Sequence, residues 1–209
     1  MKKIGIFFLL AFVVFLGYRL FFPTPTIKNI HPLGKNIICF GDSLTFGTGA
    51  KEGMDYPSQL SRILSKPIIN AGVPGDTTAS ALFRLQKDVL FRSPQIVLVT
   101  LGGNDLKNRV SKDEAFANLK KIIQSIQDQG ALVVVGGIDI PFYGRGFGDA
   151  YEAVCEEQGA ILIPNIYNGL ITNPDLMSDL IHPNEAGYTI VAKRFFEAIK
   201  PYLAQKKET

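Results

Sequence analysis

The sequence predicts an α/β domain, with a five-stranded parallel sheet between two layers of helices, preceded by an apolar membrane-anchor helix. Three observations predict it. Short apolar, β-branched runs alternate five times with longer segments of helical period, the pattern of βαβ units. The runs are nearly continuously apolar, as strands buried on both faces require. An apolar stretch of fifteen residues without a charge stands near the N-terminus, ahead of the alternation. With 209 residues, 46% of them apolar, the chain can bury one core, and it is too short for two full domains.

At the N-terminus, Lys2 and Lys3 precede residues 4–18, which carry no charge. Arg19 interrupts, and three more apolar residues complete the run before Pro23. As a helix, residues 4–22 span roughly 28 Å at about 1.5 Å per residue. That matches a bilayer core of about 30 Å. Arg19 lies near the end, where its long stem reaches the interface. A cleaved signal needs small residues at −3 and −1, and Gly17-Tyr-Arg-Leu-Phe-Phe-Pro23 offers no such pair. An uncleaved anchor over residues 1–22 is therefore expected, with secretion after cleavage as the alternative. The two lysines favour a cytoplasmic N-terminus. The domain then sits at the inner membrane, on the periplasmic or extracellular side. Residues 23–35 contain prolines and no periodicity, so they read as a linker, with His31 solvated.

From residue 36 the strands are expected at 36–40, 67–70, 96–101, 132–136 and 160–163. Between them, residues 56–64 place Leu60, Ile63 and Leu64 on one helical face. Residues 77–90 do the same with Ala81, Leu82, Leu85 and Val89. Residues 111–129 align Ala115, Leu119, Ile122, Ile123 and Ile126. A shorter helix is expected at 149–158. The chain closes on 184–203, with Ile190, Val191, Phe195, Ile199 and Leu203 inward.

The net charge of +3 is unevenly placed. Residues 1–35 hold five basic residues and no acidic one, so residues 36–209 hold 17 basic against 19 acidic. A nucleic-acid binder needs a basic stripe on its folded part, and none is present. Two Cys exclude a disulfide scaffold or a four-thiolate metal site. Cys39 and Cys155 read as buried thiols.

In an open parallel sheet, ligands bind beyond the carboxyl ends of the strands, so the informative residues are those that follow each strand. Gly41-Asp-Ser-Leu44 follows the first and presents Ser43 in a turn. Serine is a weak nucleophile without a base. Asn70-Ala-Gly-Val-Pro-Gly-Asp-Thr77 follows the second; Gly75 lets backbone approach a ligand, and Asp76 or Thr77 can cap the next helix. Gly102-Gly-Asn-Asp105 follows the third, with Asn104 as a neutral donor. Asp179-Leu-Ile-His182 precedes the last helix, and His182 is the only histidine outside the linker. Together these form an acyl-transfer set. Ser43 is the nucleophile, His182 the base and Asp179 its orienter. Gly75 and Asn104, with the Ser43 N–H, are the oxyanion donors.

These four blocks, in this order and spacing, resemble the SGNH (GDSL-type) hydrolase family over residues 36–203. The likeness is greatest to the bacterial arylesterase and multifunctional thioesterase–lysophospholipase subgroup. The resemblance implies a flavodoxin-like fold and puts catalysis on Ser43, a glycine of the second block, Asn104, Asp179 and His182. Gly75 is preferred for that glycine, with Gly72 nearby. The Gly-x-Ser-x-Gly elbow of α/β-hydrolases is absent, because Thr45 stands at its second glycine.

The expected activity is hydrolysis of carboxylic esters or thioesters, with no metal or organic cofactor. O-deacetylation of cell-surface carbohydrate is the alternative, and a non-catalytic binding module is a third reading. The expected partners are a small acyl ester, thioester or lysolipid and the membrane; the sequence assigns no oligomeric state. Residues 138–148 mix glycines with aromatics at the carboxyl end of the fourth strand. They read as a lid in which Phe142, Tyr143 and Phe147 contact an acyl chain and Arg145 an anionic head group.

Overall fold

The computed structural model describes residues 26–140 and 144–203. The predicted anchor lies outside the described residues, and no helix among them is long and apolar enough to cross a membrane.

Five parallel strands form one sheet in the order 2-1-3-4-5: β1 (Asn36–Gly41), β2 (Ile68–Gly72), β3 (Pro94–Thr100), β4 (Leu132–Gly136) and β5 (Ile161–Ile163). The central strands are apolar throughout because helices cover both faces; Ile38, Phe40, Val97, Leu98, Val133 and Val134 are fully buried. The long helices are α2 (Tyr56–Leu64), α3 (Thr78–Asp88), α5 (Lys112–Gln127), α6 (Phe147–Gln158) and α7 (Glu185–Leu203). Two short helices, α1 (Ser43–Phe46) and α4 (Gly103–Lys107), were not expected from periodicity. They are too short to show a period, and both start directly beyond a strand. All five predicted residues of α5 are buried. Ile63 of α2 is instead 41% exposed, while Gln59 turns inward and donates to the Met54 and Glu185 carbonyls.

Residues 26–35 form no helix or strand, yet they are fastened to the domain. The strap runs along the floor of the sheet, at the amino ends of the strands. The Lys28 N–H donates to the Gly159 carbonyl just before β5 (2.9 Å). The Asn29 amide donates to the Gln127 and Ala131 carbonyls just before β4 (2.8 and 2.9 Å). The Lys35 N–H donates to the Ser93 carbonyl just before β3 (2.9 Å). Asn29 has φ +56°, a left-handed conformation that Asn tolerates better than most residues. Deleting residues 26–35 is therefore expected to cost about 3 kcal/mol of stability, since several hydrogen bonds of about 1 kcal/mol each are lost. Urea unfolding of chains starting at residues 26 and 36 measures this; equal midpoints would make the strap a passive tail.

Candidate active site

The strand order reverses between β1 and β3, and such a switch point opens a crevice at their carboxyl ends. Ser43 and Asn104 lie just beyond those two ends. Ser43 opens α1, and its predecessor Asp42 caps the helix by accepting the Leu44 N–H (3.0 Å). Gly41 is required before this turn, because a Cβ there would collide with Thr100 of β3 and with Thr45. Thr45 bonds Thr100 and the Tyr56 hydroxyl, which pins α1 against the sheet.

The segment from Asp179 to His182 folds into a compact turn. Asp179 Oδ1 accepts the N–H groups of Ile181 and His182, each at 2.8 Å. Its Oδ2 lies 2.7 Å from His182 Nδ1, and His182 Nε2 lies 3.0 Å from Ser43 Oγ. With Nδ1–H donating to the carboxylate, Nε2 is left as the acceptor facing the serine. The Tyr167 hydroxyl holds this turn through the Ile181 carbonyl (2.6 Å), and the Ser178 N–H holds it through the His182 carbonyl (2.9 Å). Burial opposes ionisation of Asp179 and is the largest single influence on it, but the bonds from the His182 ring and the two N–H groups together outweigh it and lower its pKa to about 2. Because its folded pKa is depressed, the support Asp179 gives is present above its ordinary value near 3.8 and is lost only as the pH falls through about 2.

Asn104 joins the first and second blocks. Its Nδ2 donates to the Asp76 carbonyl at 2.9 Å and to Asp42 Oδ2 at 3.3 Å. Gly75, adjacent to Asp76, has φ +85°, which a residue with a side chain adopts only with strain. The Gly72 N–H is taken by Asn70 Oδ1 (3.0 Å), whereas no intramolecular acceptor among the described residues takes the Gly75 N–H. Of the two candidate glycines, Gly75 is the one with a donor to offer.

Sequence reading missed three residues that organise these loops. Asp105 is fully buried and accepts the Thr78 N–H (2.9 Å) and hydroxyl (2.6 Å), tying the third block to the start of α3. Arg84 reaches back from α3 to donate to Asp76 Oδ2 (2.6 Å), the Ala71 carbonyl (2.9 Å) and the Gly41 carbonyl (2.9 Å). It lies over the Phe40 ring at 4.4 Å. One guanidinium thus spans the carboxyl ends of β1 and β2. The signal was present: Arg84 and Asp88 share the i, i+3, i+4, i+7 stripe of Ala81 and Leu85, so two charges stand on a buried face.

Asp42 is the third. Burial pushes its pKa up to about 7, against the bond from the Leu44 N–H, and the nearby Asp76 charge adds to the rise. A carboxyl raised from 3.8 to about 7 destabilises the fold once ionised, by up to about 4 kcal/mol. Its folded pKa lies above the unfolded value, so stability falls as the pH rises from about 4 to about 7. Asp42→Asn is expected to flatten the melting-temperature profile over that window. An unchanged slope would place the titration elsewhere.

A cleft of about 260 Å³ opens beside the serine, with Asp42, Ser43, Asn104 and His182 on its polar side. Leu106, Ile138, Ile140 and Ile181 form its apolar wall, and Lys107 stands at its edge. These are not the residues expected from the sequence. Phe147 is buried at the start of α6, where its ring meets Phe116 edge-on at 5.3 Å, so it packs the domain. Arg145 is exposed and does not line the cleft. Phe142 and Tyr143 lie outside the described residues. Within the same segment it is Ile138 and Ile140, at its head, that line the cleft. Cys39 and Cys155 are both buried and free, and burial raises both thiol pKa values.

The chain is similar to known proteins over most of its length. An arylesterase of Vibrio mimicus is 31% identical over 170 residues, covering 76% of this chain and 85% of that protein. Thioesterase 1/protease 1/lysophospholipase L1 of Escherichia coli is 28% identical over 173 residues, covering 79% of this chain and 83% of that protein. The crystal structure of TesA superposes with a TM-score of 0.77 at 27% identity, covering 81% of this chain and all of that one. Residues 39–190 match the GDSL-like lipase/acylhydrolase family, a stretch that holds every block around the crevice. The chain belongs to that family and is a hydrolase.

Proposed function

We propose that the protein hydrolyses carboxylic esters or thioesters through an acyl-enzyme on Ser43, with its domain held at a membrane by residues 4–22. The observation that carries this reading is the continuous chain Asp179–His182–Ser43, at 2.7 and 3.0 Å. His182 Nε2 takes the Ser43 proton as Oγ attacks the carbonyl carbon. Asp179 fixes the ring's tautomer and stabilises the imidazolium. The oxyanion is held by the N–H groups of Ser43 and Gly75 and by Asn104 Nδ2. The longer Asn104 bond, to Asp42, is weak enough to be shared with that oxyanion. His182 then gives its proton to the leaving alcohol or thiol. Water, deprotonated by the same nitrogen, releases the acid and restores Ser43.

The apolar wall of the cleft takes the acyl chain. A panel from acetyl to palmitoyl esters, with a lysophospholipid, an acyl-CoA and an acetylated sugar, tests the reading. Cleavage of esters or thioesters by the wild type and not by Ser43→Ala is the expected result. Turnover confined to the acetylated sugar would favour carbohydrate deacetylation, and no turnover on any member would sink the proposal. Filling the wall with Ile140→Phe is expected to lower kcat/KM for long chains about tenfold while sparing acetyl esters, a change worth about 1.4 kcal/mol. Equal loss across the series would place the acyl chain elsewhere.

A further inference from the structure

The floor of the sheet, opposite the crevice, carries large apolar side chains in water. Leu33 is 85% exposed, Phe91 76% and Ile30 40%. Ile30 and Leu33 belong to the strap, and Phe91 lies in the turn Leu90–Arg92 that leads into β3. Exposed Lys28, Lys35, Lys66 and Arg92 surround them. The acids on this side are Asp88, which is half-buried and paired with Arg84 and Arg92, and the exposed Asp128, Glu156 and Glu157, the last paired with Lys120. Apolar side chains ringed by an excess of cations suit an anionic lipid headgroup layer.

The chain leading away from this floor says which layer. Thr26 lies beside Gly159, under β5. Only residues 23–25, Pro-Thr-Pro, separate it from the apolar run 4–22. From residue 22 to residue 26 the chain reaches at most about 14 Å. The seven residues of β3 alone rise about 23 Å from floor to crevice. A tether of that length cannot pass around the domain to bring the crevice to the same bilayer.

We propose that this floor rests on the headgroups of the bilayer that holds residues 4–22, so that Ser43 opens away from that bilayer. The proposal rests on the anchored reading given above. Its consequence is a substrate class: acyl esters that arrive from the aqueous side or from a facing surface, and not lipids of the leaflet beneath. The crevice rim also exposes apolar side chains, Leu180 and Ile181 among them. On this geometry they meet the incoming substrate.

The test uses the full chain reconstituted in vesicles of phosphatidylcholine and phosphatidylglycerol, with nitroxide headgroup lipids as contact quenchers. One probe is a short fluorophosphonate dye on Ser43; the other is a dye on His31→Cys in the strap, the two native thiols being buried. Strong quenching at position 31 with little at Ser43 is expected. Leu33→Glu with Phe91→Glu is expected to reduce the position-31 quenching severalfold. Equal or stronger quenching at Ser43 would overturn the proposal, as would a chain that lacks residues 1–22 by mass or fails to float with the vesicles. If Ser43 takes no label, the serine-hydrolase reading fails, and the strap probe still decides the orientation.

Discussion

Ser43→Ala and His182→Ala should each lower kcat for an activated ester by about 10⁴–10⁶, and the double variant should be no slower than the worse single one. Ser43 Oγ and His182 Nε2 stand 3.0 Å apart and share one proton, so removing either disables the same step. Residues that act as a unit do not add their losses. Activity that remains in either variant is expected to come from the oxyanion donors and from binding. Asp179→Ala should be the milder triad change. It removes the tautomer lock while leaving the histidine beside the serine. Steady-state kinetics on a p-nitrophenyl ester, with melting temperatures to confirm folding, check the series. Losses that multiply in the double variant would show that the two groups serve different steps.

Asn104→Ala is expected to lower kcat by about 10²–10³ with little change in KM. An oxyanion donor is engaged more strongly in the transition state than in the ground state, so its loss appears in turnover. The substitution also frees Asp42 Oδ2 and the Asp76 carbonyl from their amide partner. A fall in melting temperature is therefore expected alongside the loss of turnover. Asp42→Asn separates the two effects, because it alters the carboxyl behind Asn104 while keeping the amide in place. A change of KM alone in Asn104→Ala would assign that side chain to binding.

Much of this architecture was legible because buried strands and amphipathic helices write their periods into the sequence. The α5 stripe at Ala115, Leu119, Ile122, Ile123 and Ile126 is buried as its spacing dictates. The blocks after β1, β2 and β3 were legible because a doubly wound sheet collects its ligand site there. The reading lost accuracy where contacts are specific to the tertiary structure. Arg84 bonds carbonyls from two strands, and only the β1–β2 register brings those carbonyls together. Phe147 was assigned to the substrate from composition, but its place at the first turn of α6 turns it toward Phe116. The residues before β1 read as a free linker because prolines preclude regular structure there. Their bonds to Gly159, Gln127, Ala131 and Ser93 leave no periodic trace.

The central claim is that Ser43 is a nucleophile activated by His182. Intact-mass and peptide-mass measurement after reaction with a fluorophosphonate tests it most directly. The account predicts one adduct per chain, on the peptide that contains Ser43, formed quickly in the wild type and severalfold or more slowly in His182→Ala. An adduct on another residue, or labelling of Ser43 at the same rate without His182, would contradict it.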